Sequence, residues 1–408
     1  MKKVMNRNKF KTVLSEPING KQIYLISLMF YLFFSFLRNT TFNPYLGSRV
    51  FNLASYLVVV ALLFKIYICD SHTVKQTLLI TFLLVVAVVS WRFSTSNLIL
   101  VMMSFIVAAQ GVSFRQIVRY YFYATLILLM SVICFSILGI IRDLVFVVPG
   151  RAVRYSLGIV YPTDLAAHVL YLILGHAYLN YRSLNWRYYC SYILVAFILK
   201  LVTDARLSII CILLTVPILM IARAAEKSQH RGAYFMLCNY WVVIPILAFI
   251  SFTSTYFFDN TNHLYYKIDH ALSGRLSYGS MAIHQYPVTL FGQKVVENGL
   301  GGSKGLSIFH NANVGYFYID SSYLRLVMIY GILATIVIIA IMISVSLKGI
   351  FAHDYALTAI ILVVTLSCLV EQHLLELSYN PFLLALLANL SMNKLEDFKV
   401  ERKKVQHE

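Results

Sequence analysis

Charged groups that interrupt apolar sequence are the residues here whose chemistry stands out. Arg151, Arg154 and Asp164 lie in "VVPGRAVRYSLGIVYPTDLAAH", Asp204 and Arg206 in "LKLVTDARLSII", Arg275 in "LSGRLSYGS", and Asp320 in "YFYIDSSYLRL". A guanidinium is a planar fork that stays charged and donates paired hydrogen bonds to phosphate or carboxylate oxygens. An ionisable side chain at the centre of a membrane helix costs about 2.5–3.5 kcal/mol, and less near the interface. Asp164 and Arg206 sit where apolar runs begin, so each needs a reason to be there. Pairing with a neighbour while snorkelling is one reason. Convergence of several cations on one anionic ligand is the other.

Acids and bases suited to proton transfer are few. His263, His270, His284 and His310 lie in the polar stretch from residue 258 to 319. Asp164 and His168 are one helical turn apart, and Asp320 precedes an apolar run. No HExxH, DxD or Cys–His cluster offers metal-ligand spacing, so neither a metal nor another cofactor is expected. "GLGGSKG" (Gly299–Gly305) lacks the Lys-Ser/Thr element of a phosphate loop and follows no strand; it reads as a flexible hinge. Cys69, Cys134, Cys190, Cys211, Cys238 and Cys368 sit in or beside apolar runs without a CxxC pair, as small packing residues do.

The elements that must position these residues follow from composition. Hydrophobic residues make up 60% and charged residues 12% of 408, and mean hydropathy is +0.74. A soluble domain carries roughly 25% charged residues, so this chain is expected to be an all-α, polytopic integral membrane protein. Hydropathy predicts about twelve spanning helices, centred near Phe30, Val58, Leu84, Met103, Leu128, Leu170, Val195, Leu214, Pro245, Leu333, Leu362 and Leu384. The run Ser96–Gln110 is short, and Pro381 and Asn389 interrupt the last. The first run follows a basic start but no small-residue cleavage pattern, so it reads as a retained anchor. No internal repeat or composition shift divides the chain, and residues 1–408 read as one membrane domain.

Lys and Arg set the orientation. Residues 1–21 carry Lys2, Lys3, Arg7, Lys9, Lys11 and Lys21; residues 393–408 carry Lys394, Lys399, Arg402, Lys403 and Lys404. Both tails are expected in the cytoplasm, as an even helix count requires. The net charge of +17 is spread over tails and short connections, the pattern of membrane topology rather than of nucleic-acid binding. The long polar segment, 258–319, then falls outside, between the ninth and tenth helices. A lipid carrying a diphosphate in the outer leaflet would present its phosphates at the depth of the outer arginines. Aromatics crowd the same stretch, among them Tyr265, Tyr266, Tyr278, Tyr286, Tyr316 and Tyr318. Part of this set is an interfacial belt, and the remainder offers ring faces for stacking on sugars.

At these residues the chain resembles the Wzy-type polysaccharide polymerases of bacterial capsule, exopolysaccharide and O-antigen pathways, and more distantly the O-antigen ligases. Arg154–His168, "TDARLSII" (Thr203–Ile210), "LSGRLSYGSMAIHQYPVTLFGQ" (Leu272–Gln293) and "IDSSYLRLVMIYGI" (Ile319–Ile332) carry the resemblance, in the family's order. Tyr161–Asp164 departs from the His-Pro-Asn often found in relatives, and the first five helices carry none of it. The resemblance implies an undecaprenyl-diphosphate-linked oligosaccharide as substrate and a glycosyl transfer at the outer face of the bacterial cytoplasmic membrane. It also implies a flippase and a chain-length regulator as partner proteins. Arg154, Asp164, Arg206 and Arg275 would then bind substrate, and Asp320 or His310 would act as base, without a metal. A flippase of lipid-linked sugar and a ligase onto a surface acceptor are the competing readings; short loops and pseudo-repeated halves, expected of a flippase, are missing here.

Overall fold

Among lipid tails every backbone N–H and C=O must find its partner within the chain, and a helix does this locally. The computed structural model describes residues 19–147, 152–227, 231–310 and 315–390. Arg151, the tail 393–408 and nearly all of the tail 1–21 lie outside the described residues. The first half holds α1 (Gly20–Arg38), α2 (Asn43–Phe64), α3 (Val74–Ser94), α4 (Leu98–Ala108) and α5 (Phe114–Ile137). An antiparallel pair of short strands follows, β1 (Val145–Phe146) and β2 (Arg154–Tyr155). Then come α6 (Pro162–Leu179), α7 (Trp186–Thr203), α8 (Arg206–Glu226), α9 (Arg231–Cys238) and α10 (Tyr240–Tyr256). After the polar segment, α14 (Ser322–Arg325) runs through a π-turn into α15 (Gly331–Phe351), and α16 (Tyr355–Ser367) follows.

Among the described residues six helices are long and apolar enough to cross a membrane, or seven if α9 and α10, bent by 47°, form one span. The sequence expectation of about twelve therefore meets a bundle whose helices differ in kind. α4 and α16 are apolar but only 11 and 13 residues long. Both are enclosed by protein: Ile99–Ala108 is buried without exception, as is every residue of α16 except Leu366. α4 packs on α1, α2 and α3, and α16 on α6, α8, α10 and α15. A helix apolar all round belongs in a core, where its length need not match the bilayer. Perimeter helices instead expose large apolar side chains, including Ile26, Leu78, Leu201, Phe249 and Ile336, each more than 60% exposed. Such a belt fits lipid, not water.

The last apolar run does not form an α-helix among its described residues. Past Ser367 the chain turns at Cys368–Gln372 and continues through 3-10 turns at His373–Leu375 and Phe382–Leu386. The backbone carbonyls this frees are met from elsewhere. Lys348 Nζ donates to the carbonyls of Ala385, Leu386 and Ala388 at 2.9, 2.9 and 2.7 Å, and Asn389 N–H donates to Val112. The polar segment, residues 258–319, holds α11 (His263–Ala271), α12 (Arg275–Gln285) and α13 (Gly302–His310). Asn262 caps α11 through its side chain, and the glycines of the supposed hinge lead directly into α13.

Between α12 and α13 the chain is clamped onto the break before α15. Gln293 N–H donates to Ile329, while Ile332 and Leu333 N–H donate to Thr289 and Leu290. Gly292 and Gly331 meet back to back at φ +98° and +88°; a Cβ on Gly331 would lie 2.3 Å from the Gly292 nitrogen. Only glycine combines that dihedral with that approach. Gly331→Ala is expected to destabilise the protein by about 2 kcal/mol or more, from the left-handed backbone and the overlap together. A melting temperature in detergent equal to that of wild type would refute the clamp.

Candidate functional site

Arg206 and Arg275 are each the first residue of a helix, α8 and α12. That is the positive end of the macrodipole, where a cation is disfavoured and an anion is welcome. Arg206 is 55% exposed, and its Nε lies 3.8 Å from Asp204, which also pairs with Lys200. Asp204 holds a left-handed conformation (φ +45°) that turns α7 sharply into α8. Ala205 at the N-cap gives α8 no side-chain cap, and no acidic residue lies in its first turn. α12 is treated differently: Asp269 Oδ1 accepts from the N–H groups of Leu276 and Ser277 at 2.8 and 3.1 Å.

These helix ends line a cavity of about 260 Å³ together with Arg154, Tyr161, Thr163, Ser208, Tyr278, Tyr316, Asp320 and Glu371. Arg154 reaches it from β2, whose partner β1 is tied to α13 by the cluster of Leu144, Phe146 and Leu306. The guanidinium groups are oriented by backbone carbonyls. Arg154 Nε donates to Thr203 at 2.8 Å, and its Nη1 lies 3.4 Å from Tyr161 Oη. Arg275 Nε and Nη1 donate to Val370 and Leu272 at 2.8 and 3.0 Å. In both residues Nη2 makes no hydrogen bond among the described residues, so each keeps donors for a ligand.

Three carboxylates share the cavity, so its side-chain charges balance on paper. Asp204 and Glu371 are the better buried, and Glu371 accepts from Ser208. Asp320, 20% exposed and 4.0 Å from Arg275, carries no hydrogen bond among the described residues. Burial pushes its carboxyl above the ordinary carboxylate range, with Arg275 and Arg325 pulling it back. The uncapped start of α8 adds positive potential that the side chains do not cancel. A multiply charged oxyanion is the ligand this arrangement suits.

The structure brings Arg154, Arg206, Arg275 and Asp320 together and leaves two expected site residues aside. Asp164 does not line the cavity; its Oδ1 lies 3.4 Å from His373 Nε2, and His373 Nδ1 is 3.2 Å from Glu376. His168, one turn on, is buried with Tyr379 stacked on it at 3.8 Å, and Tyr379 stacks on His373 at 3.7 Å. His310 ends α13 exposed to solvent, away from the cavity lining. Asp320 lies just before the N-cap position of α14, which Ser321 holds. Glu371 was missed, although "CLVEQHLLELSYN" carries acidic and imidazole groups within an apolar run, which is itself a functional signal. Among the described residues no three His, Cys, Asp or Glu side chains group closely enough to hold a metal ion.

Comparison with family models, with curated proteins and with solved structures finds no match to this chain. The geometry alone therefore separates the arginines by role. Arg275→Lys is expected to lower stability by about 1.5–3 kcal/mol, because an ammonium cannot reach both carbonyls. Arg206→Lys, at an exposed position, is expected to stay within about 0.5 kcal/mol of wild type. Thermal unfolding in detergent reads both, and equal behaviour of the two variants would count against this division.

Proposed function

We propose that the protein is a polysaccharide polymerase of the Wzy type, acting on undecaprenyl-diphosphate-linked repeat units at the outer face of the bacterial cytoplasmic membrane. The observation that carries the reading is the convergence of three guanidinium groups and an uncapped helix start on one cavity of an apolar bundle. A lipid diphosphate answers each part of it, with an isoprenoid tail for the bundle and phosphate oxygens for the forks. The four stretches that resemble the polymerases supply Arg154, Arg206, Arg275 and Asp320, and those four line the cavity. In this reading the bundle crosses the membrane twelve times, with α4, α6, α7, α16 and residues 373–390 completing the count, and both tails are cytoplasmic.

The reaction needs an acceptor hydroxyl made nucleophilic and a leaving group made stable. A hydroxyl of the incoming lipid-linked sugar attacks the anomeric carbon of the donor chain. A new glycosidic C–O bond forms, the C–O bond to the diphosphate breaks, and undecaprenyl diphosphate leaves with the bonding pair. The hydroxyl proton passes to a carboxylate, and Asp320 is the accessible one. Burial makes Asp320 a stronger base than an exposed aspartate, while Arg275 keeps it ionised. The donors left unspent on Arg154 and Arg275, with Arg206, stabilise the charge that develops on the departing phosphate. His310, held on the exposed end of α13, fits a base less well.

Purified protein given lipid-linked repeat units should yield chains longer than one unit. Asp320→Asn is expected to slow this about 10²–10⁴-fold, the usual worth of a general base. Because the raised Asp320 must be ionised to work, wild-type activity should fall on acidification at a pH above the ordinary carboxylate range. The residual rate of Asp320→Asn should not follow that profile. Full activity in Asp320→Asn would remove it from the mechanism. In cells, deletion of the gene should leave single repeat units on the surface; loss of all surface repeats would favour a flippase.

The charge bias of the tails and connections predicts that residues 258–319 face outward. A cysteine introduced at Ser303, an exposed position on α13, should react with an impermeant thiol reagent on intact cells. Labelling only after permeabilisation would invert the topology and with it the reaction site.

A further inference from the structure

A second cavity, of about 390 Å³, lies on the other side of the walls that enclose the arginine cavity. Residues 316–320 and 371–376 separate the two: Tyr316, Asp320 and Glu371 line the first, Tyr318 and Glu376 the second. Its chemistry is different. Two arginines, Arg38 and Arg325, are matched by Glu297 and Glu376, and Arg325 is held by Glu297 in a forked pair at 2.7 and 2.9 Å. The other polar groups are neutral amides and hydroxyls, from the end of α1, from α2 and from the break between α3 and α4. Asn97 Nδ2 donates to Asn52 Oδ1 at 3.4 Å, which leaves Asn52 Nδ2 and Asn97 Oδ1 without a partner among the described residues. Non-helical backbone and unspent amides inside an apolar bundle are tolerated where they line a wet cavity.

We infer that this cavity binds an uncharged sugar residue of the glycan, remote from the reacting bond. Amides that both donate and accept match the hydroxyl rim of a sugar. Balanced charge with one forked ion pair already closed gives a phosphate no advantage here over water. The inference rests on the proposed glycosyl transfer and assigns the sugar and the diphosphate to separate chambers.

Two probes test it on the purified full-length protein by calorimetry: undecaprenyl diphosphate, and the phosphate-free reducing oligosaccharide released from the lipid-linked repeat unit by mild acid. Asn97→Leu is expected to weaken the oligosaccharide about three- to tenfold, the worth of one neutral hydrogen bond, and to leave undecaprenyl diphosphate unchanged. Should Asn97→Leu lose both through misfolding, Thr95→Val on the exposed rim takes its place with the same expectation. An oligosaccharide that does not bind wild type, or binds both variants as well as wild type, overturns the sugar site while diphosphate binding upholds the reaction. Failure of wild type to bind undecaprenyl diphosphate would instead sink the reaction and leave the sugar site standing on its own titration.

Discussion

Each place where a helix stops inside this apolar bundle releases carbonyl groups that must be met, and that requirement organises the structure. An unsatisfied backbone group in hydrocarbon costs several kcal/mol, so a long cation that can reach it becomes part of the fold. Arg154 meets Thr203 at the end of α7, Arg275 meets Val370 beyond α16, and Lys348 meets three carbonyls near Ala388. The first two are also arginines of the cavity. Their attachment to backbone fixes the position of each guanidinium in the cavity wall. The bonds that hold the bundle closed at its breaks are thus the same bonds that aim the site.

The two cavities differ in their electrostatic field, although neither holds a clear excess of charged side chains of one sign. Position makes the difference. In the first, Arg206 and Arg275 stand at helix starts, so dipole and side chain add. In the second, Arg325 is closed onto Glu297, with Tyr318 beneath its guanidinium at 5.0 Å, and little net field is left. A count of residues would rate the two alike; only the placement of each group on its helix separates them.

Much of this was legible in the sequence, for definite reasons. A charge in apolar surroundings is conspicuous, so Arg154, Arg206, Arg275 and Asp320 could be singled out, and the cavity contains all four. Their distance from one another in the chain gave no hint of what lay between them. Asp164 looked equivalent to them but leans on His373, a residue far along the chain that no local spacing ties to it. His310 looked promising from its loop, yet α13 packs through Leu306 and Phe309 and leaves it outward. The helix count was harder to read. Hydropathy registers apolar residues facing lipid and facing protein alike, so it does not tell α4 and α16, enclosed by their neighbours, from the longer helices of the perimeter. The last run was apolar enough to suggest a helix, while its actual support comes from Lys348, which lies outside any window drawn on it.

That support bears on how the chain is assembled. Residues 373–390 lack a continuous ladder of their own and depend on an ammonium carried by α15 and on the backbone of Val112. Released alone into lipid during synthesis, they would present bare carbonyls to the bilayer. They can settle only once α15 and the turn before α5 already stand beside them. The biogenesis of this protein therefore has a built-in order, in which residues 373–390 settle only after α15 and the turn before α5, far apart in the chain, have come together.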